Sequence, residues 1–356
     1  MISLSMHFVA IVLVFASFVA AGHAIDPRDA AQTFAPIPSS AAGPPVPEDP
    51  GYRVEAFGDG AYMVTEGLYQ ALFFVACESV IVVDAPPTIG HNMVNAIRSI
   101  TSLPISHVVY SHSHTDHIGA AYLLGSPSNT TFIAHSLTLE ELSLTPDSQR
   151  RPFPTRTFDD SYRLQVCNQT LDLIYDGPNH EPGNIFIYAP LQKILMLVDV
   201  VFPGFVPFYA LGIVQNVPGF IKAHDQILTY DFDYYIGGHL NRVGTREDVI
   251  IQREYINDLY NNCADALISS AAPPNASNPV SVQTLLPPVQ KANPGNGWAV
   301  FDFYLDSIAE YCANVTTEKW LGKLAGADVF TFSNAQVMVN SARVDFDVLG
   351  PFGVRD

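Results

Sequence analysis

The sequence predicts a mixed α/β architecture. Short apolar, strand-like runs alternate with stretches of helical spacing over much of the chain. Several of the strand-like runs end in a His or Asp. With 356 residues, 48% of them hydrophobic, the chain is long enough to bury a sizeable core in one large domain or two smaller ones.

Residues 25–50 are rich in Pro, Ala and Ser and read as an extended lead-in. Strands are then expected at 62–66, 70–77 and 80–84, and a helix at 89–100. A short buried strand at 107–111 runs into a His-rich loop, followed by a helical stretch at 118–124. Next come a strand at 131–134, a helix at 137–144 and adjacent strands at 163–167 and 171–175. Segments 185–189 and 194–198 form a hairpin, 219–230 a helix, and 234–236 a strand ending at Gly237-Gly238. Thr245 caps a helix reaching about residue 261, with Asp248 completing a capping-box pair. Residues 264–298, rich in Ala, Pro, Asn and Ser, read as a long surface segment lying over or beside the metal-binding cleft argued below, and a helix follows at 301–312.

The first 24 residues combine an apolar stretch with small residues before a cleavage position near Ala24, although the n-region lacks Lys and Arg. They read as a signal peptide, too short in apolar length for a bilayer span of about 20 residues. The expected location is therefore secreted, or periplasmic in a bacterium, with no membrane anchor after cleavage. Four sequons, at Asn129, Asn168, Asn275 and Asn314, offer glycan acceptors in a eukaryotic host. The four cysteines have no C-x-x-C spacing and allow three disulfide connectivities, of which Cys263 with Cys312 is expected. A net charge of −18 and the lack of a basic run argue against nucleic acid as a partner and leave a small-molecule substrate.

The chemistry concentrates in Ser111-His112-Ser113-His114-Thr115-Asp116-His117. Three imidazoles and a carboxylate within six residues are good zinc ligands, but a tight loop cannot aim all four at one tetrahedral ion. It can divide them, His112 and His114 facing one metal and Asp116 and His117 another. Later segments supply more donors: His180 in a Gly/Pro turn after a strand, Asp199 inside the apolar run 194–201, and His239 after Gly237-Gly238. A lone carboxylate in a buried strand is costly unless paired or metal-bound. His91, His107, His135 and His224 read as packing or surface residues.

These segments, in this order over residues 55–260, resemble the metallo-β-lactamase-fold metallo-hydrolase superfamily. The resemblance implies a four-layer αβ/βα sandwich, with the C-terminal part after the His239 helix as an added helical extension that could cover the site. The implied organisation is a signal peptide (1–24), a lead-in (25–50), a metal-binding domain (51–262) and the extension (263–356). Two divalent ions, zinc expected, are implied: the first on His112, His114 and His180, the second on Asp116, His117 and His239, with Asp199 bridging. A metal-bridging hydroxide would attack an ester or lactone carbonyl, with Asp116 orienting it or passing a proton to the leaving group. Related β-lactamases place Cys or Ser at the position of Asp199, and related lactonases carry Tyr where this chain has Phe202. Glu181 stands where many members have Thr or Ser. The alternatives are a sulfatase or phosphodiesterase, a β-lactam or amide hydrolase, a di-iron oxidoreductase of the same fold, or a non-catalytic secreted zinc-binding protein. The aromatic run Phe202, Phe205, Phe208 and Tyr209 offers a pocket wall.

Overall fold

The computed structural model describes residues 33–145, 149–275 and 278–353. The chain divides into a leading stretch, Met1–Phe34, and a second unit, Ala35–Asp356, which holds everything discussed below. The expected signal peptide lies outside the described residues.

The first sheet has seven strands in sequence order: β1 (Arg53–Gly58), β2 (Ala61–Thr65), β3 (Gln70–Val75), β4 (Val80–Val83), β5 (Ile105–Val109), β6 (Thr131–His135) and β7 (Arg156–Phe158). The first four form an antiparallel meander. The rest are parallel, so their connections must cross over. Those crossovers carry α1 (His91–Ile100), α2 (Thr115–Ile118) and α3 (Ser136–Leu144). Strands β8 (Ser161–Val166), β9 (Gln169–Ile174), β10 (Phe186–Ala189), β11 (Ile194–Met196) and β12 (Tyr234–Ile236) form the second sheet in the order β12-β11-β10-β9-β8.

Side-chain alternation explains the layering. Leu72 and Phe74 of β3 face the second sheet and meet Leu171, Leu173, Ile187 and Met196. Their neighbours Ala71 and Phe73 point the other way, toward Met93 and Ile97 of α1. Every residue of β4 is buried, because both faces of the sheet are covered. The outer face of the second sheet, with Phe186, Leu195 and Tyr235, packs against a helical layer. That layer contains α5 (Val217–Ile227), α6 (Arg246–Ser270), α8 (Gly297–Trp320) and α9 (Ala327–Val344). The short α4 (Tyr209–Ile213) rests on α9, and α7 (Val282–Ala292) on α8. This is the four-layer αβ/βα arrangement, with added C-terminal helices.

The capping box forms as expected: Asp248 N donates to the Thr245 side chain, and Thr245 N to the Asp248 carboxylate. The helix it starts runs nine residues past 261, to Ser270. Cys263, Ala266 and Leu267 continue its buried face, and Cys263 is bonded to Cys312 on α8. The second disulfide joins Cys77 to Cys167. Residues 264–298 are not one extended path. Val282, Leu285, Leu286 and Val289 recur at helical spacing and make α7.

Candidate metal centre

Each candidate ligand leaves the end of a strand or the turn just beyond it, at one edge of the two sheets. After β5 the chain enters the loop holding His112, His114, Asp116 and His117. Asp84, just past β4, fixes the start of that loop by accepting from Ser111 N at 2.8 Å. His180 lies in the turn between β9 and β10, and its backbone N–H donates to Asn179 Oδ1 at 2.6 Å. Asp199 lies three residues past β11 in a left-handed conformation, its N–H bonded to Gly237 O. His239 follows Gly238, whose φ of 85° and whose contact with Val198 leave no room for a side chain.

The structure brings all seven residues together in two groups. His112, His114, His180 and Asp199 form one; Asp116, His117 and His239 form the other, with donor atoms in each group within 4.8 Å of one another. Asp199 lies between them. Its Oδ2 is 3.1 Å from His117 Nε2, 3.3 Å from His180 Nε2 and 3.5 Å from His112 Nε2, while Oδ1 is 2.9 Å from His239 Nε2. His112, His117 and His180 are fully buried, whereas Asp116 is half open to solvent at the mouth.

The donor set fits metal ions. His112 Nε2, both nitrogens of His117 and Asp199 Oδ1 are buried without a hydrogen bond of proper geometry, although opposite charges stand within ion-pair reach. Such groups are costly unless something ligates them. Burial pushes the His112 imidazole well below its usual pKa and His180 to about 4, so both are held neutral, as ligands must be. Burial alone would raise Asp199, but His117, His180 and His239 hold it well below the usual carboxylate range. Burial also opposes charge on His117, yet Asp199 and Asp116 outweigh it and raise the metal-free imidazole to about 9.

A cavity of about 260 Å³ opens onto both groups, lined by Tyr69, Phe202, Phe208, Tyr209, Gly212 and Ile213 besides His114, Asp116, Asp199 and His239. Among the described residues, neither Lys nor Arg lines it. A larger cavity of about 410 Å³ beside α7 and α8 is lined by no titratable side chain among the described residues and shares no lining residue with this site.

Residues 64–239 match the profile of the Metallo-beta-lactamase superfamily. This metal-bearing part of the chain belongs to that superfamily. A metallo-beta-lactamase from Pontibacter korlensis superposes with a TM-score of 0.50 at 16% identity, over 58% of this chain and 99% of that one, a likeness of fold alone. The 2,4-dinitroanisole O-demethylase subunit alpha of Nocardioides sp. (strain JS1661) is 29% identical over 208 residues, or 56% of this chain. The chain spans 61% of that relative's length.

Two residues at this superfamily site, Asp84 and Tyr69, escaped the sequence reading, and a third, Glu181, was noted there without a role. Asp84 ends the buried run Val80–Val83, the same signal that singled out Asp199, and burial pushes its pKa up to about 6. Tyr69 reaches Asp116 Oδ2 with its hydroxyl at 3.3 Å and packs on His239 at 4.5 Å. No sequence signal marks it, because its place depends on pairing across to His239. Glu181 is buried beside His114. The histidines read as packing residues behave so where buried: His224 bonds Phe220 O and Gln252, and His135 caps α3. None of the described residues of 264–298, expected over the cleft, lines it; its apolar wall comes from Tyr69 and from 202–213.

Proposed function

We propose that this protein is an exported, metal-dependent hydrolase of small, uncharged carboxylic esters or lactones. One observation carries the substrate reading. The cavity reaching both His/Asp groups is walled by Tyr69, Phe202, Phe208, Tyr209 and Ile213 and, among the described residues, offers no Lys or Arg for an anionic substrate.

Two divalent ions, zinc the best fit to five imidazoles and two carboxylates, would be held by His112, His114 and His180 and by Asp116, His117 and His239, with Asp199 shared. Bound there, they would supply an activated water and stabilise negative charge developing on the substrate oxygen. The chain's own residues do the rest. Asp116, the most open carboxylate of the set, is placed to orient the water and pass a proton to the leaving group. The Tyr69 hydroxyl steers Asp116 Oδ2. The aromatic wall holds the acyl or alcohol part and keeps bulk water out. A sulfate or phosphate ester would bring negative charge into a cavity that no described Lys or Arg lines, on a chain of net charge −18. Export is supported by the two disulfides and by sequon asparagines that are all exposed.

A second reading is favoured by the Nocardioides relative, whose name places an aryl methyl ether, 2,4-dinitroanisole, as its substrate. The same aromatic wall suits a planar, uncharged ring.

The test is a panel on metal-replete protein: p-nitrophenyl acetate, lactones of graded chain length, 2,4-dinitroanisole, and p-nitrophenyl sulfate and phosphate. Turnover of the neutral esters or lactones is expected. Turnover confined to dinitroanisole selects the second reading, and turnover confined to sulfate or phosphate overturns both.

A further inference from the structure

Glu181 is 1% exposed and immediately follows His180. An ionised carboxylate that deep must be fully hydrogen-bonded to be tolerated. Its partners are specific. Oε1 accepts from Ser113 N at 2.6 Å, and Oε2 accepts from Ser113 Oγ at 3.2 Å. Oε2 also lies 3.0 Å from His114 Nε2. The other ring nitrogen, His114 Nδ1, lies 3.0 Å from His180 Nε2. Arg151 holds the same residue from its other side by donating to Ser113 O at 3.0 Å.

We propose that Glu181 is a positioning residue: it holds the proton of neutral His114 on Nε2, so that Nδ1 is left free as the donor facing His180. The inference rests on the metal-binding reading above. A carboxylate accepting from Nε2–H fixes both the tautomer and the tilt of an imidazole ligand. The same side chain ties the Ser113 peptide, between His112 and His114, to the turn that carries His180. Three ligands of one group are thereby set by one buried carboxylate. Thr or Ser at this position would be too short to span to both Ser113 N and His114 Nε2.

The role is separable from simple packing. Glu181 touches the ligands of one group only, since Asp116, His117 and His239 are not among its partners. Zinc uptake followed against a chromophoric chelator should give two steps in the wild type. Glu181→Ala should weaken one step by about 10–100-fold and leave the other in place. Glu181→Gln should recover part of the loss, because its single carbonyl oxygen can serve His114 or Ser113 but not both. In ¹⁵N-detected NMR of the zinc-loaded wild-type protein, His114 should carry its proton on Nε2, a readout that needs neither variant to fold nor any turnover. Equal weakening of both steps together with a fall in Tm would mean that Glu181 only supports the loop. Wild-type His114 protonated on Nδ1, or two steps that Glu181→Ala leaves unmoved, would overturn this assignment alone. A wild-type protein that takes up no zinc would overturn the metal reading and this assignment with it.

Discussion

The floor of the cleft and its wall are built on opposite principles. The floor is charged, buried and held by strand ends: Asp84, His112, Asp199 and His239 each sit on or within three residues of a strand end. The wall is apolar and partly exposed, and its backbone is held against its own preference. In α4, Ala210, Leu211, Gly212 and Ile213 all have φ between 53° and 70°, which makes a turn of left-handed helix. Only one of the four is glycine, and each L-residue there costs about 1–2 kcal/mol. The turn is held from α9, where the Ser333 Oγ and Asn334 Oδ1 accept from Ala210 N and Leu211 N at 3.1 and 2.7 Å. Phe208 packs on Phe330 of the same helix. Tyr209 and Ile213, 61% and 69% exposed, are thus displayed at the mouth at an energetic cost. On the proposed reading, a strained wall over a fixed floor would let substrate choice change without touching the chemistry.

The largest effect should come from emptying the floor. Elemental analysis of metal-replete protein should find about two divalent ions per chain, and removing them should abolish turnover. One ion or fewer in folded protein would break the two-group reading. Because metal-free His117 is raised to about 9, it carries a proton at pH 7 that must leave when a metal binds. Calorimetry in buffers of different ionisation enthalpy should therefore report proton release on uptake, fading as the pH rises past 9. Uptake at pH 7 without proton release would contradict this placement of charge.

Next in size are single floor residues. Asp116→Ala should lower kcat by about 10²–10⁴-fold, the span of a lost proton-transfer group. Asp116 lies outside the three core clusters, so Tm should change little. A variant with wild-type kcat and full metal content would remove Asp116 from the mechanism.

This contrast also governs what the sequence discloses. The floor is legible because three imidazoles and a carboxylate fall within six residues, and because Asp199 interrupts an apolar run. Its orienting groups are less so: Glu181 and Tyr69 gain meaning only when the turn after β9 meets the His-rich loop and Tyr69, just before β3, pairs with His239. The wall is illegible in another way. Nothing in the residues of α4 requires a left-handed turn; Ser333 and Asn334, 123 residues away from their partners Ala210 and Leu211, hold it. The helix that carries Asn334 also escaped notice. Thr331, Asn334 and Ser341 are buried within α9 and interrupt the apolar period that would mark it.

Breaking the clamp should have an intermediate effect, on selection alone. Asn334→Ala removes the acceptor for Leu211 N and the donor to Pro207 O, both in a fully buried setting. The turn should relax and carry Tyr209 and Ile213 away from the mouth. The ratio of kcat/KM for aryl over methyl esters should then shift by about tenfold, the scale of small changes in an apolar pocket. Metal content should hold. An unchanged ratio would mean that the wall does not read the substrate.

The smallest effect on selection is expected from α7, although this segment invites the opposite guess from its composition. Replacing Val282–Ala292 with Gly and Ser removes Val282, Leu285 and Leu286 from the edge of the C-terminal core, so stability should fall by roughly 2 kcal/mol or more. None of these residues lines the metal cleft, whose wall hangs from α9 instead. Tm should therefore drop while the order of preference across ester and lactone chain lengths stays as in the wild type. The pairing with Asn334→Ala matters more than either variant alone. If losing α7 reorders the preferences, then selection is transmitted through the whole helical layer, and the separation of floor from wall is wrong in its second half. If only Asn334→Ala reorders them, the wall is a local device, one strained turn held at one helix.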